Sequence, residues 1–176
     1  YLLKKKDDVK IMREVNPWVS RAGLKLEYAI ETFKLAPLNG IAMDIGASTG
    51  GFSEVVLAYG CSEVYSIDVG RHQLDKKLRE DVRVFNMEGV NAKNLLLFDI
   101  PQVDLIVCDA SFISLKKVIK VPLLFGKDNC QLIVLIKPQF EVGPRNVGKR
   151  GIVKDSKNRW EACLSIKSFL DQEGWL

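Results

Sequence analysis

The sequence predicts an α/β fold: a mostly parallel sheet covered by helices on both faces. Two observations predict the class, and a third predicts where its chemistry lies. Short apolar runs alternate with segments of helical periodicity along the 176 residues, which implies right-handed crossovers between parallel strands. A glycine-rich turn, DIGASTGGF (44–52), joins the first strand to its helix. The later runs end in SID, NME, VCD and LIK, so charged groups stand where a purely structural connection requires none. In such sheets ligands bind beyond the carboxyl ends of the strands, where the strand order reverses.

Residues 1–19 are expected to form an irregular linker ending after Asn-Pro-Trp, and residues 20–176 a single domain. Ser20 stands where a helix N-cap belongs. Behind it Ala22, Leu26, Ala29, Ile30 and Phe33 recur at three- and four-residue spacing on one helical face. Pro37 and Gly40 end that region. IAMDI (41–45) reads as a buried parallel strand, and FSEVVLAY (52–59) as a helix closed by Gly60. The cycle then repeats: strand 63–68 and a charged helix over 71–80, then strand 82–86 and a short helix over 91–97. Strand 103–109 precedes a helix over 114–125, and strand 131–137 leads through a long loop to a last helix over 155–172.

A composition of 47% hydrophobic and 27% charged residues excludes collagen-like, low-complexity and disulfide-scaffold chains. Cys61, Cys108, Cys130 and Cys163 are far apart and form no C-x-x-C pair. They read as small buried hydrophobes in a reducing, cytoplasmic setting, with no metal site. No apolar run approaches the ~18 residues of a spanning helix, and no signal peptide opens the sequence. A first residue of Tyr rather than Met leads us to expect a fragment. The net charge of +4 is uneven: residues 1–25 carry +4, residues 137–160 carry +5, and the remainder sums to −5.

In the glycine-rich turn, Gly46 permits a tight bend, while Gly50 and Gly51 let backbone approach a ligand without an intervening Cβ. Asp68 ends the next strand, twenty-two residues after Gly46, the position from which a carboxylate binds ribose hydroxyls. Ala47 and Ser48 break the G-x-G-x-x-G fingerprint of dinucleotide sites. Asp44, two residues before the first glycine, repels a pyrophosphate and suits a cationic ligand. S-adenosylmethionine is such a ligand, with an ammonium, a sulfonium, a ribose and no phosphate. The cofactor candidates are therefore Asp44, Gly46, Ala47, Ser48, Thr49, Gly50, Gly51, Phe52, Asp68 and Asp109. Glu88, at the end of the third strand, either lies beside the adenosine or is an ordinary loop carboxylate.

Asp109 ends the fourth strand, and Lys137 follows LIVLI in the fifth. A lysine closing an apolar strand either snorkels to the surface or, desolvated beside a second cation, becomes available as a base. Lys25 supplies that cation if its helix crosses the strand ends.

The motifs VSRAGLKLE, DIGASTGGF, SIDVGRHQLDKKLR, DASFISL, LIKPQFEVG and KRGIVKD occur in this order between Trp18 and Asp155. Together they resemble the hemolysin A (TlyA-type) family of FtsJ-like ribosomal-RNA methyltransferases. The resemblance implies a Rossmann-like S-adenosylmethionine-dependent methyltransferase fold. It also implies 2′-O-methylation of ribose in ribosomal RNA, with cytidine the typical target, and a ribosomal RNA or subunit as partner. Lys25, Asp109 and Lys137 match the first three members of the family's Lys-Asp-Lys-Glu catalytic tetrad. The fourth, in a late GN-E motif, has no counterpart before Leu176, and Glu141 of KPQFE is not that residue. The family's antiparallel C-terminal strand pair, which would follow Trp175, and its small N-terminal RNA-binding module have no counterpart either, so the domain is expected to be C-terminally incomplete: the given sequence omits these parts or the protein is a natural truncation. The Arg21-Ala22-Gly23 segment replaces the more usual Arg-Gly-Gly.

Two other readings compete: an RNA- or S-adenosylmethionine-binding protein without catalysis, and the membrane-active hemolysin of the family's name. The two basic segments contain Lys25 and Lys137 and are expected to form an RNA-facing rim carrying Arg145, Lys149 and Arg150. Phe112 and Phe140 either stack on a splayed base or each serve apolar packing. His72, the only histidine, reads as a surface residue.

Overall fold

The computed structural model describes residues 16–175, so most of the expected linker, residues 1–15, lies outside the described residues. Five strands, β1 (Ile41–Ile45), β2 (Glu63–Asp68), β3 (Val84–Glu88), β4 (Val103–Cys108) and β5 (Gly126–Val134), form one sheet in the order β3-β2-β1-β4-β5. Every pairing is parallel. The chain leaves β1 in one direction to build β2 and β3, then returns to β1's other side for β4 and β5. The reversal lies between β1 and β4.

Side chains alternate across the sheet and both faces are buried. Ala42, Val64, Leu105 and Val107 point to one face. Helices α1 (Arg21–Thr32) and α2 (Gly51–Ala58) cover it through Leu26, Ile30, Val55 and Val56. Met43, Tyr65, Ile67 and Ile106 point to the other face. There α4 (Leu115–Ile119), α6 (Ser156–Gln172) and the 3-10 turn Ala92–Leu97 contribute Ile119, Ile166 and Leu95.

Four elements differ from the expectation, each for a local reason. The helix expected over 114–125 divides into α4 and a 3-10 turn at Pro122–Phe125, because Pro122 has no N–H to continue the ladder. The charged helix over 71–80 shrinks to α3 (Lys76–Arg79), since Glu88 captures the backbone N–H groups of Gln73 and Leu74. β3 starts two residues late because Asp81 accepts from the backbone and guanidinium of Arg83. β5 begins at Gly126, with a register shift opposite Val103–Leu105, and ends at Val134. Its last expected residues leave the ladder ahead of Pro138, which opens the short α5 (Pro138–Glu141).

Candidate active site

Lys25, Asp109 and Lys137 meet at the carboxyl ends of β1 and β4, where the strand order reverses. Leu26 and Ile30 are fully buried and fix the rotation of α1, and close approach to α2 sets its height. A Cβ on Gly51 would lie 2.3 Å from Ser20 Oγ, so glycine is what allows the two helix starts to touch. Ser20 caps α1 by accepting from the Ala22 N–H at 3.2 Å. Lys25 then reaches across the strand ends, its Nζ 2.7 Å from Asp109 Oδ2. Lys137 Nζ lies 2.7 Å from the other oxygen, Oδ1, and donates to Asp109 O at 3.0 Å and Ser111 Oγ at 2.6 Å. The Oδ1 approach is an ion contact without hydrogen-bond alignment. Exposure grades outward: the Asp109 side chain is 11% exposed, Lys137 17% and Lys25 48%.

Two adjoining cavities share Gly46, Ser48, Asp109 and Ser111, and their charges are opposite. The first, about 480 Å³, is walled by Ile67, Val69, Val90 and Ala92 and contains two carboxylates, Asp68 and Asp109. Among the described residues no Lys, Arg or His lines it. The second, about 560 Å³, is lined by Arg21, Lys25 and Lys137 against the single carboxylate Asp109. A neutral or cationic nucleoside suits the first cavity and a pyrophosphate does not, since its charge would face two carboxylates with no described cation. The second suits an anionic polymer.

The cofactor candidates from the sequence fall into two groups. Gly46, Ala47, Ser48, Thr49, Phe52, Asp68 and Asp109 line one or both cavities. Gly50, Gly51, Asp44 and Glu88 line neither. Gly50 adopts φ +93 at the start of α2 beneath Leu74 and Leu78, and Gly51 contacts α1 as described, so both shape the turn from behind. Gly46 combines φ +82 with close approach: a Cβ there would lie 2.9 Å from Ala110 Cα. Asp44 is fully buried and accepts from Ser53 Oγ at 2.7 Å, while Ser53 Oγ also lies 2.7 Å from Ser66 Oγ. Its Oδ1 has no hydrogen-bond partner among the described residues. Burial pushes its carboxyl up to about 7, partly offset by the Ser53 hydrogen bonds and reinforced by Asp109 and Asp68.

Glu88 faces the 70–75 loop rather than the cavity. Burial pushes its carboxyl up, but hydrogen bonds from Leu74, Gln73, Asn86 and His72 outweigh that and bring it down to about 2. Asp68 accepts from Ser48 N at 2.8 Å and Gly70 N at 2.7 Å. These bonds hold the loop edges and leave lone pairs for ribose hydroxyls. An apolar-walled cavity with Asp68 at its edge and no described cation in its lining fits S-adenosylmethionine, while Asp44, buried behind the turn, does not reach it.

Three residues of this site escaped the sequence reading. Ser111 binds Lys137; its only signal was its place two residues after Asp109. Gln73, 3.3 Å from Ser48 Oγ, and Asn91 line the first cavity through loop conformations that periodicity does not report. Phe112 is 91% exposed and lies 5.5 Å from Phe140, ring centre to ring centre, at a 51° tilt. His72 is exposed. Arg145, Lys149 and Arg150 are exposed, and none pairs with a carboxylate among the described residues.

Residues 18–175 match the family described as FtsJ-like methyltransferase. The chain is similar to Hemolysin A of Brachyspira hyodysenteriae, 43% identical over 157 residues, spanning 87% of this chain and 64% of that protein. It is similar to the 16S/23S rRNA (cytidine-2′-O)-methyltransferase TlyA of Mycobacterium tuberculosis, 42% identical over 159 residues, spanning 90% and 59%. A solved structure of a candidate hemolysin from Streptococcus thermophilus superposes with a TM-score of 0.82 at 40% identity, covering 89% of this chain and 57% of that one. The chain spans about three-fifths of the length of the curated relatives it matches.

Proposed function

The chain belongs to the FtsJ-like methyltransferase family, and from that premise we propose that it transfers a methyl group from S-adenosylmethionine to a ribose 2′-hydroxyl of ribosomal RNA, with cytidine the target. The observation that carries this reading is the pair of adjoining cavities of opposite charge, with Asp109 between two lysines at their junction. A cationic methyl donor and a polyanionic acceptor need such a division.

Bound S-adenosylmethionine supplies an electrophilic methyl group on its sulfonium. Asp68 would hold the ribose hydroxyls of the donor, Gly46 and Ser48 would bring backbone against it, and Ile67, Val69 and Ala92 would wall the adenine. Lys137 takes the acceptor's hydroxyl proton when it is the free amine, or stabilises the developing alkoxide when it is the ammonium, help worth ~10²–10⁴-fold. Asp109 holds both lysine side chains in register. Lys25, the more exposed, orients the acceptor ribose from the cleft mouth. Orienting the acceptor hydroxyl between Lys25 and Lys137 would supply much of the remaining rate. In this reading residues 20–175 carry these groups as one unit, and work on ribosomal RNA implies a cytoplasmic setting.

The test is transfer of labelled methyl groups to ribosomal RNA and to assembled subunits, followed by mapping of the modified nucleotide. Modification of a ribose 2′-oxygen by the wild-type chain, lost in Lys137→Ala, is the expected result. Equal rates for the two proteins would remove Lys137 from the mechanism. Cofactor and RNA binding without transfer would favour the non-catalytic binding reading. No described helix is long and apolar enough to cross a membrane.

A further inference from the structure

The loop after β4, residues 109–114, carries Asp109 and Ser111, and the segment after β5 carries Lys137. Three contacts join them. Lys137 binds Asp109 and Ser111, Phe140 stacks obliquely on Phe112, and Glu141 reaches back across both. Glu141 Oε2 accepts from Ser114 Oγ at 2.7 Å, and Oε1 accepts from the Leu115 N–H at 2.7 Å. Ser114 occupies the N-cap position of α4 yet makes no capping bond of its own. The carboxylate from another segment takes that place.

Between these anchors lies a strained residue. Phe112 has φ +65, a region a bulky side chain adopts only when its surroundings impose it. Ser111, just before it, is held by Lys137; Ser114 and Leu115, just after it, are held by Glu141. Without the second anchor the loop is free to relax at Phe112, and Ser111 and Asp109 lose their setting against Lys137. Glu141 itself lines neither cavity.

We propose that Glu141 is a positioning residue, a clamp between the two post-strand loops that fixes Asp109 and Ser111 relative to Lys137. For its consequence in catalysis the proposal rests on the methyl-transfer reading; the clamp itself does not.

Hydrogen–deuterium exchange and methyl-transfer kinetics on Glu141→Ala, Glu141→Gln and Ser114→Ala test it. In E141A the amides of residues 110–115 should exchange at least about tenfold faster, with the β1 and β4 strands unchanged. The kcat of E141A should fall about 10–100-fold at unchanged KM for RNA, the scale of a misplacement remote from the reacting atoms. E141Q keeps an acceptor for Leu115 and a polar partner for Ser114, and should stay within about threefold of wild type on both measures. S114A removes one contact of the two, gives a smaller acceleration of loop exchange, and decides the matter if E141A does not fold. Wild-type exchange of the loop in E141A, or in S114A where E141A does not fold, overturns the clamp. Wild-type kcat in a folded E141A overturns its part in positioning. A wild-type chain that transfers no methyl group refutes the methyl-transfer reading instead, and the exchange data still judge the clamp.

Discussion

Asp109 presents two oxygens to two lysines, and neither lysine is used up by the contact. An ammonium has three hydrogens, so Lys25, with Asp109 as its one described partner, keeps two to offer to a substrate. Lys137, already engaged by Asp109 O and Ser111, has less freedom and a more fixed direction. The cost of losing each group should follow that difference. Asp109→Asn keeps the shape but removes the charge that balances the cations, and single-turnover methyl transfer should fall by about 10²-fold or more. Lys25→Ala, at the half-exposed rim, should cost less than Lys137→Ala in the same assay. Asp44 titrates on a separate scale. Its carboxyl is raised from 3.8 to about 7 chiefly by burial, so the folded state holds its proton more tightly than the unfolded one. The associated stability is complete below about 3.8 and is lost as pH rises through about 7. Asp44→Asn, which retains an acceptor for Ser53, should lack this fall, and urea unfolding from pH 4 to pH 8 should show the two proteins' stabilities shifting relative to each other across that window.

Among the elements, the segment from α5 to the start of α6 and the short helix α3 carry similar numbers of basic residues but differ in how those charges are used. On α3, Lys77 pairs with the nearly buried Glu54 at 2.6 Å and Lys76 with Glu80 at 3.6 Å. Arg145, Lys149 and Arg150 have no such partner among the described residues and follow directly from Lys137. Neutralising these three should weaken RNA binding and flatten its dependence on salt, whereas neutralising Lys76, Lys77 and Arg79 should change it far less. Filter binding over a series of salt concentrations reads both slopes, and equal losses would remove the rim. The same contrast marks what was legible in the sequence. β1, β2 and β4 lie where short, largely apolar runs place them, because burial on both faces overrides local preference. α3, β3 and the 114–125 region depart where one polar bond or one proline decides the outcome: Glu88 on the 70–75 loop, Asp81 on Arg83, Pro122 in the ladder. In the site, Asp109 and Lys137 were visible as charges at strand ends, and Lys25 only through the motif around it. Ser111, Gln73 and Asn91 act through loop conformation, which a linear pattern does not encode.

For the whole molecule, the first cavity lies between parts of the chain separated in sequence, from Ile45 to Val118. A ligand there binds the folded state alone, so it should raise the unfolding temperature. At about a hundred times its Kd, S-adenosylmethionine should add ~2.7 kcal/mol, roughly 5–10 °C for a domain of this size. Asp68→Ala should lose most of that rise in differential scanning calorimetry, and an undiminished rise would place the ribose elsewhere. The contact of Lys25 with Asp109 joins residues 84 apart in sequence. During synthesis α1 emerges first, and at about 5–20 residues per second its lysine waits several seconds for the carboxylate to be made, and longer for Lys137. A nascent chain therefore carries no assembled Lys-Asp-Lys cluster until residue 137 has left the ribosome.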